Sequence, residues 1–235
     1  MKFSSQGSTL WILMQDEQHT ANALTLAESR ELKKQLKKPW TLIVCKGEER
    51  VFCSGGQLKD YARLKTKDSG LKINNEIKKN ISTLQKHSAL KIALVGGDCF
   101  GGGIEFLGCF DLVYSVSHAL FGFWQNKMGV SYGWGGYERL QRKLSTSFLK
   151  TALLEEKVCT AFELKNAGLI YLIVKYQDFS QIAETWEKSF AAKKSKLEIQ
   201  KHLGKNANEV FKKLWWAPEH RQILEKIIKK KTQET

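Results

Sequence analysis

Two glycine turns, one of them running into a carboxylate, mark where this chain could do chemistry. Residues 99–111 read CFGGGIEFLGCFD, so Gly101–Gly103 lead straight into an apolar segment that carries Glu105. A second stretch, VFCSGGQLKDY at 51–61, also leaves a strand, turns on Gly55–Gly56 and enters a helix. Glycine lets a backbone approach a ligand closely and adopt dihedrals closed to other residues. A helix start adds free N–H groups and the positive end of the helix dipole. Two such turns in one sheet can aim two N–H groups at one carbonyl oxygen. That is an oxyanion hole, in which removing one donor typically costs on the order of 10²–10³ in rate. Glu105 then stands beside the reacting centre as the candidate acid or base; the other reading is a capping acid in a glycine-packed helix crossing.

Nucleotide loops are excluded by spacing. No Lys follows Gly101–Gly103, so there is no Walker A loop, and Gly96, Gly97 and Gly101–Gly103 do not make G-x-G-x-x-G.

The elements that must hold these turns are legible as alternating patterns. Apolar stretches at 9–14, 41–45, 91–95, 111–116 and 169–174 read as strands, and 22–38, 71–87 and 144–154 as helices. Such alternation predicts an α/β fold with a largely parallel sheet. From about 178 the pattern turns helical and strongly charged, with Pro218 placed to open the last helix. The division expected is a core at 1–177 and a helical capping or oligomer-building region at 178–235.

Composition narrows the partners. The net charge of +14 favours anionic ligands, although much of it lies on solvated helix faces such as 31–38 and 226–231. Aromatic and basic residues interleave only around FKKLWW (211–216), so nucleic acid is not expected as a partner. No apolar run approaches the roughly 20 residues a spanning helix needs, and the run at 9–14 is too short for a signal-peptide core. A cytoplasmic protein without a membrane partner is expected. The five cysteines form no CxxC pair and the histidines are single, so no disulfide framework or metal site is expected.

Five stretches carry a resemblance. FCSGGQLKDY (52–61) resembles the F-C-A/S-G-x-D-L-K motif of the crotonase, or enoyl-CoA hydratase/isomerase, superfamily. GGDCFGGGIEFLGCFDLVYS (96–115) resembles its N-G-x-x-x-G-G-G-x-E-L-x-x-x-C-D, and MGVSYGWGGYERL (128–140) its P-x-x-G-G-x-x-R-L. CTAFELKNAGLIYLIV (159–174) and ANAL (21–24) fall in the same order. The resemblance implies a ββα spiral core with C-terminal helices, assembled as a homotrimer or a dimer of trimers. It implies an acyl-CoA thioester as substrate, with coenzyme A present only as part of that substrate and no tightly bound cofactor. Gly56 and Gly102 would donate the oxyanion-hole N–H groups, Glu105 would be the active-site carboxylate, and Arg50 and Lys59 would lie near the CoA phosphates.

The chain also departs from the pattern. Gln125 stands where hydratases carry a second Glu, and an amide cannot take a proton from water. Gly133 stands where some isomerases carry Asp, Gln57 replaces an Asp, and Gly96–Gly97 replaces Asn-Gly. The stretch NKMGVSYGWGG instead resembles alkylmalonyl-CoA decarboxylases of the superfamily, with Tyr132 and Trp134 as substrate-site candidates beside Gln125. The expected activity is hydratase/isomerase-type chemistry on an acyl-CoA enolate with a single Glu. The alternatives are alkylmalonyl-CoA decarboxylation, or a homologue that binds CoA or RNA without turnover.

Overall fold

The computed structural model describes residues 1–15, 21–192, 196, 198–199, 207–215 and 217–233. In chain order its strands are β1 (Lys2–Gln6), β2 (Thr9–Met14), β3 (Leu42–Gly47), β4 (Val51–Cys53), β5 (Leu90–Val95), β6 (Asp98–Phe100), β7 (Leu112–Ser115), β8 (Leu120–Gly122), β9 (Val158–Thr160) and β10 (Leu172–Ile173). The helices are α1 (Leu26–Gln35), α2 (Leu58–Ala62), α3 (Lys67–Lys86), α4 (Gly102–Leu107), α5 (Gly136–Leu140), α6 (Thr146–Leu154), α7 (Ala161–Ala167), α8 (Phe179–Ala192), α9 (Ala207–Leu214) and α10 (Pro218–Gln233).

Two sheets carry the fold, one of six strands ordered β1-β2-β3-β5-β7-β10 and one of four ordered β4-β6-β8-β9. Pairing is parallel except at β1–β2 and β8–β9. Strands covered on both faces need continuous apolar sequence, and all six residues of β5 are buried. Its one cation, Lys91, is tolerated because Nζ donates to the carbonyls of His87 and Ala89 and pairs with Asp111. Helix α3 turns Ile77, Asn80, Ile81 and Leu84 inward, the spacing of one helical face. Asn80 makes that face specific by donating to Ser29 of α1 at 3.1 Å. All five cysteines are free and buried, as small apolar residues would be.

Three expectations change. Helix α1 begins at Leu26 rather than 22, because Ala21 and Asn22 adopt positive φ and Thr25 and Glu28 form a reciprocal capping box. The run at 169–174 yields only Leu172–Ile173 as strand. Gly168, at φ +102°, stops α7, and the N–H groups of Leu169 and Ile170 return to the Leu164 carbonyl. A buried helix stop and a buried strand look alike in an apolar run. The four-stranded sheet was largely hidden, since each of its strands has three residues and shows no period.

The chain divides into two compact units, Met1–Glu184 and Thr185–Thr235. Within the second, Pro218 does open its helix, Phe211 and Trp215 stack at 5.3 Å, and both are exposed. Trp216 of the FKKLWW stretch lies outside the described residues. Among the described residues no helix is long and apolar enough to cross a membrane.

Candidate active site

Parallel pairing brings the two glycine turns together. β4 and β6 lie side by side with Val51 opposite Asp98 and Cys53 opposite Cys99. Both therefore leave the sheet at the same end, β4 through Ser54–Gly56 into α2 and β6 through Gly101 into α4. A Cβ on Gly55 would sit 3.0 Å from the Gly102 nitrogen, so the turns touch. Gly101, at φ +51° and ψ −119°, makes a bend that a side chain would strain. Residues 21–24 run along the first turn. Leu24 donates to Gly55 O at 2.7 Å and accepts from the Gln57 N–H at 3.3 Å. The N–H groups of Gly56 and Gly102 donate to no acceptor among the described residues.

Glu105, one turn into α4, is buried and fully occupied. Oε2 accepts from the N–H groups of Trp134 and Gly136, each at 2.8 Å. Oε1 accepts from the Gly133 N–H at 3.1 Å and from Gln125 Nε2 at 3.4 Å. A carboxylate offers about four lone-pair sites, and these donors take them. Burial raises the Glu105 pKa above its ordinary value, while the Gly136 and Trp134 N–H groups, Gln125 and Arg139 pull against that rise. A Cβ on Gly136 would fall 2.3 Å from Glu105 Cγ, so the loop can wrap the carboxylate only with glycine there.

The same loop is gripped from two further sides. Asn74 of α3 donates to Gly133 O at 2.8 Å, and buried Arg139 of α5 donates to Trp134 O and to Glu105 O. Trp134 thus has its backbone held at both ends of its peptide unit, and its indole is buried. That ring lies against both glycines. A Cβ on Gly102 would meet it at 2.6 Å, and one on Gly56 at 3.1 Å. Tyr61 also lies against Gly56, and its hydroxyl neighbours the indole without a well-formed hydrogen bond.

Of the residues singled out from sequence, Glu105, Gly56, Gly102, Gln125 and Trp134 therefore share one site. Gln125 spends Nε2 on Gly101 O and Glu105, leaving its buried Oε1 without a donor. Tyr132 is half-buried, and its hydroxyl donates to Leu149 O at 3.2 Å, so it turns toward α6. Arg50 and Lys59 are exposed, in the β3–β4 turn and the first turn of α2. The roles of Asn22, Asn74 and Arg139 were missed. Asn22 donates to Met14 O and Val51 O from a left-handed conformation, and its place in ANAL was the available signal. A cleft of about 190 Å³ lies between Leu24, Gln57, Tyr61, Ile73 and Ile77. Among the described residues no His, Cys, Asp or Glu cluster could hold a metal.

Comparison with known proteins places this arrangement. The sequence profile of the enoyl-CoA hydratase/isomerase family matches residues 5–234. The mitochondrial methylglutaconyl-CoA hydratase of Mus musculus is 28% identical over 145 residues, 62% of this chain and 46% of that protein. The ethylmalonyl-CoA decarboxylase of Mus musculus is 25% identical over 205 residues, 80% of this chain and 62% of that protein. Both matches span less than two thirds of the relative's own length. The crystal structure of an enoyl-CoA hydratase from Bacillus anthracis superposes with a TM-score of 0.85, covering 97% of this chain and 96% of that one at 18% identity. At that identity the likeness is one of fold, and the fold is the crotonase type.

Proposed function

The chain belongs to the enoyl-CoA hydratase/isomerase family, and on that premise we propose that it stabilises the enolate of an acyl-CoA thioester by a route that takes no proton onto Glu105. The observation that carries this reading is that the turns bearing Gly56 and Gly102 touch, and that neither N–H has an acceptor among the described residues. Unfilled N–H donors on two adjoining turns suit a carbonyl oxygen that gains charge in the transition state. The acyl group enters through the cleft beside Leu24, Gln57 and Tyr61, and Arg50 and Lys59 face the CoA phosphates from the surface.

Glu105 argues for the type of reaction. A general base needs a free lone pair within reach of the proton, and this carboxylate has spent its own on the 133–136 loop and Gln125. Decarboxylation of an alkylmalonyl-CoA asks for no base. The bond from the α-carbon to the carboxylate breaks, its electron pair moves into the enolate whose oxygen rests on the two N–H groups, and carbon dioxide leaves. Water then returns a proton to the α-carbon. The likeness to a decarboxylase over most of the chain points the same way.

Mass spectrometry of methylmalonyl-, ethylmalonyl-, crotonyl- and 3-enoyl-CoA incubated with the protein tests this. Loss of carbon dioxide from a malonyl-type ester, with crotonyl-CoA unchanged, is expected. Hydration of crotonyl-CoA that disappears in Glu105→Gln would overturn the base-free route. Unchanged esters with CoA still bound would leave a binding scaffold.

A further inference from the structure

A peptide unit is planar and trans, so its N–H points away from its own C=O. The Gly102 N–H shares a peptide unit with the Gly101 carbonyl, and whatever fixes that carbonyl fixes the direction of the N–H. Glycine on both sides gives this unit little resistance of its own to turning. Gly101 sits at φ +51° and ψ −119°, and a Cβ on it would meet nothing within 4 Å. Its carbonyl accepts from the Ile104 N–H at 3.0 Å, within the turn, and from Gln125 Nε2 at 3.1 Å. The second bond comes from outside the turn, from the segment that follows β8. Gln125 is buried, and its Nε2 also donates to Glu105 Oε1 at 3.4 Å.

An amide suits this contact where a carboxylate does not. The reverse amide orientation would set an oxygen against two acceptor oxygens, so the nitrogen faces them. A carboxylate here would set its own oxygens against the same two. The Gln125 Oε1 is meanwhile buried without a donor among the described residues, an arrangement that costs stability. The nitrogen is the end that is used. We propose that Gln125 is a positioning residue that clamps the Gly101–Gly102 peptide and so fixes the direction of the Gly102 N–H, an inference that rests on the acyl-CoA reading above. A hydrogen bond accepted by the carbonyl also polarises the peptide and strengthens its N–H as a donor. The side chain that stands in place of a second carboxylate thus serves the donor pair and moves no proton.

Infrared difference spectra of acetyl-CoA, isotope-labelled at the thioester carbonyl and bound to the full chain, test the clamp. The wild type should lower the carbonyl stretching frequency, as donors on the oxygen do. Gln125→Met fills similar space without a donor, and Gln125→Asn keeps an amide that stops one carbon short of the Gly101 carbonyl. Each should lose about half of the wild-type shift, since one of two donors is no longer held. Near-ultraviolet circular dichroism reports whether each variant is folded, and the polar variant carries the test if the apolar one is not. A full shift in the folded variants would reduce Gln125 to core packing and overturn the clamp, with acyl-CoA binding left standing. Acetyl-CoA that fails to bind the wild type, or binds it with an unmoved carbonyl band, would overturn the donor-pair reading and the clamp with it.

Discussion

The first turn of α4 carries two polar sites that the fold treats in opposite ways. At Glu105 every lone pair of a buried carboxylate has a donor, drawn from residues 133, 134 and 136 and from Gln125. At Gly102, three residues earlier, the N–H has no acceptor among the described residues, and the Gly56 N–H has none there either. Glu105 is buried and satisfied, as buried polar groups normally are, whereas Gly56 and Gly102 are only half-buried. The carboxylate end holds the 133–136 loop, and on the reading proposed above the N–H end is left to a ligand oxygen. Trp134 joins them, since the loop that Glu105 anchors is the loop that lays the indole on the glycines.

The largest effect should come from the carboxylate end. Glu105→Ala strands three backbone N–H groups, those of Trp134 and Gly136 buried, and removes the anchor of residues 133–136, at a cost of about 3–5 kcal/mol, as for breaking one side of a buried charged cluster. Glu105→Gln, which keeps an acceptor oxygen, should cost clearly less. Urea midpoints at neutral pH measure both. A folded Glu105→Ala protein of wild-type stability, lacking only turnover, would reverse the assignment and make Glu105 a catalytic base.

A smaller effect should come from the open end. In Gly102→Ala the new methyl meets a rigid ring carbon at 2.6 Å, and overpacking of this kind costs about 1–3 kcal/mol. The same substitution made in Trp134→Ala should cost much less, because the ring it strikes is gone. The coupling in that double-mutant cycle is the quantity to read. Equal costs in both backgrounds would mean the indole does not press on Gly102.

What the sequence disclosed follows the same divide. The two glycine turns were legible as strand–turn–helix patterns, and the family resemblance then singled out Gly56 and Gly102 within them. The saturation of Glu105 was not. Its partners are backbone N–H groups 28 to 31 residues further along the chain, and every residue but proline carries such a group. Nothing in the letters GWGG says which of them will face a carboxylate. Trp134 was visible as an aromatic candidate, yet its contact with two glycines from separate strands depends on loop closure, which no local pattern encodes. The long elements were read well for the opposite reason. β3, β5 and α3 repeat their burial pattern over six or more residues, whereas β4, β6, β8 and β9 have three residues each.

The smallest effect expected is in pH, and it weighs the two influences on Glu105 against each other. Burial raises its folded pKa above 4.5 against the pull of its hydrogen-bond donors and Arg139. The folded chain then keeps this proton to a higher pH than the unfolded chain does. Where the folded state binds more protons, stability falls as pH rises. The contribution is therefore complete below 4.5, and it is lost as pH climbs from there through the folded value. Each pH unit between the two values corresponds to about 1.4 kcal/mol. Glu105→Gln cannot titrate, so the stability of the wild type relative to this variant should decline across that window, as read from urea midpoints in matched buffers. A relative stability that grows with pH would mean that the donors outweigh burial. The carboxylate would then be held as an ion throughout, and the contrast with the open N–H pair would be sharper still.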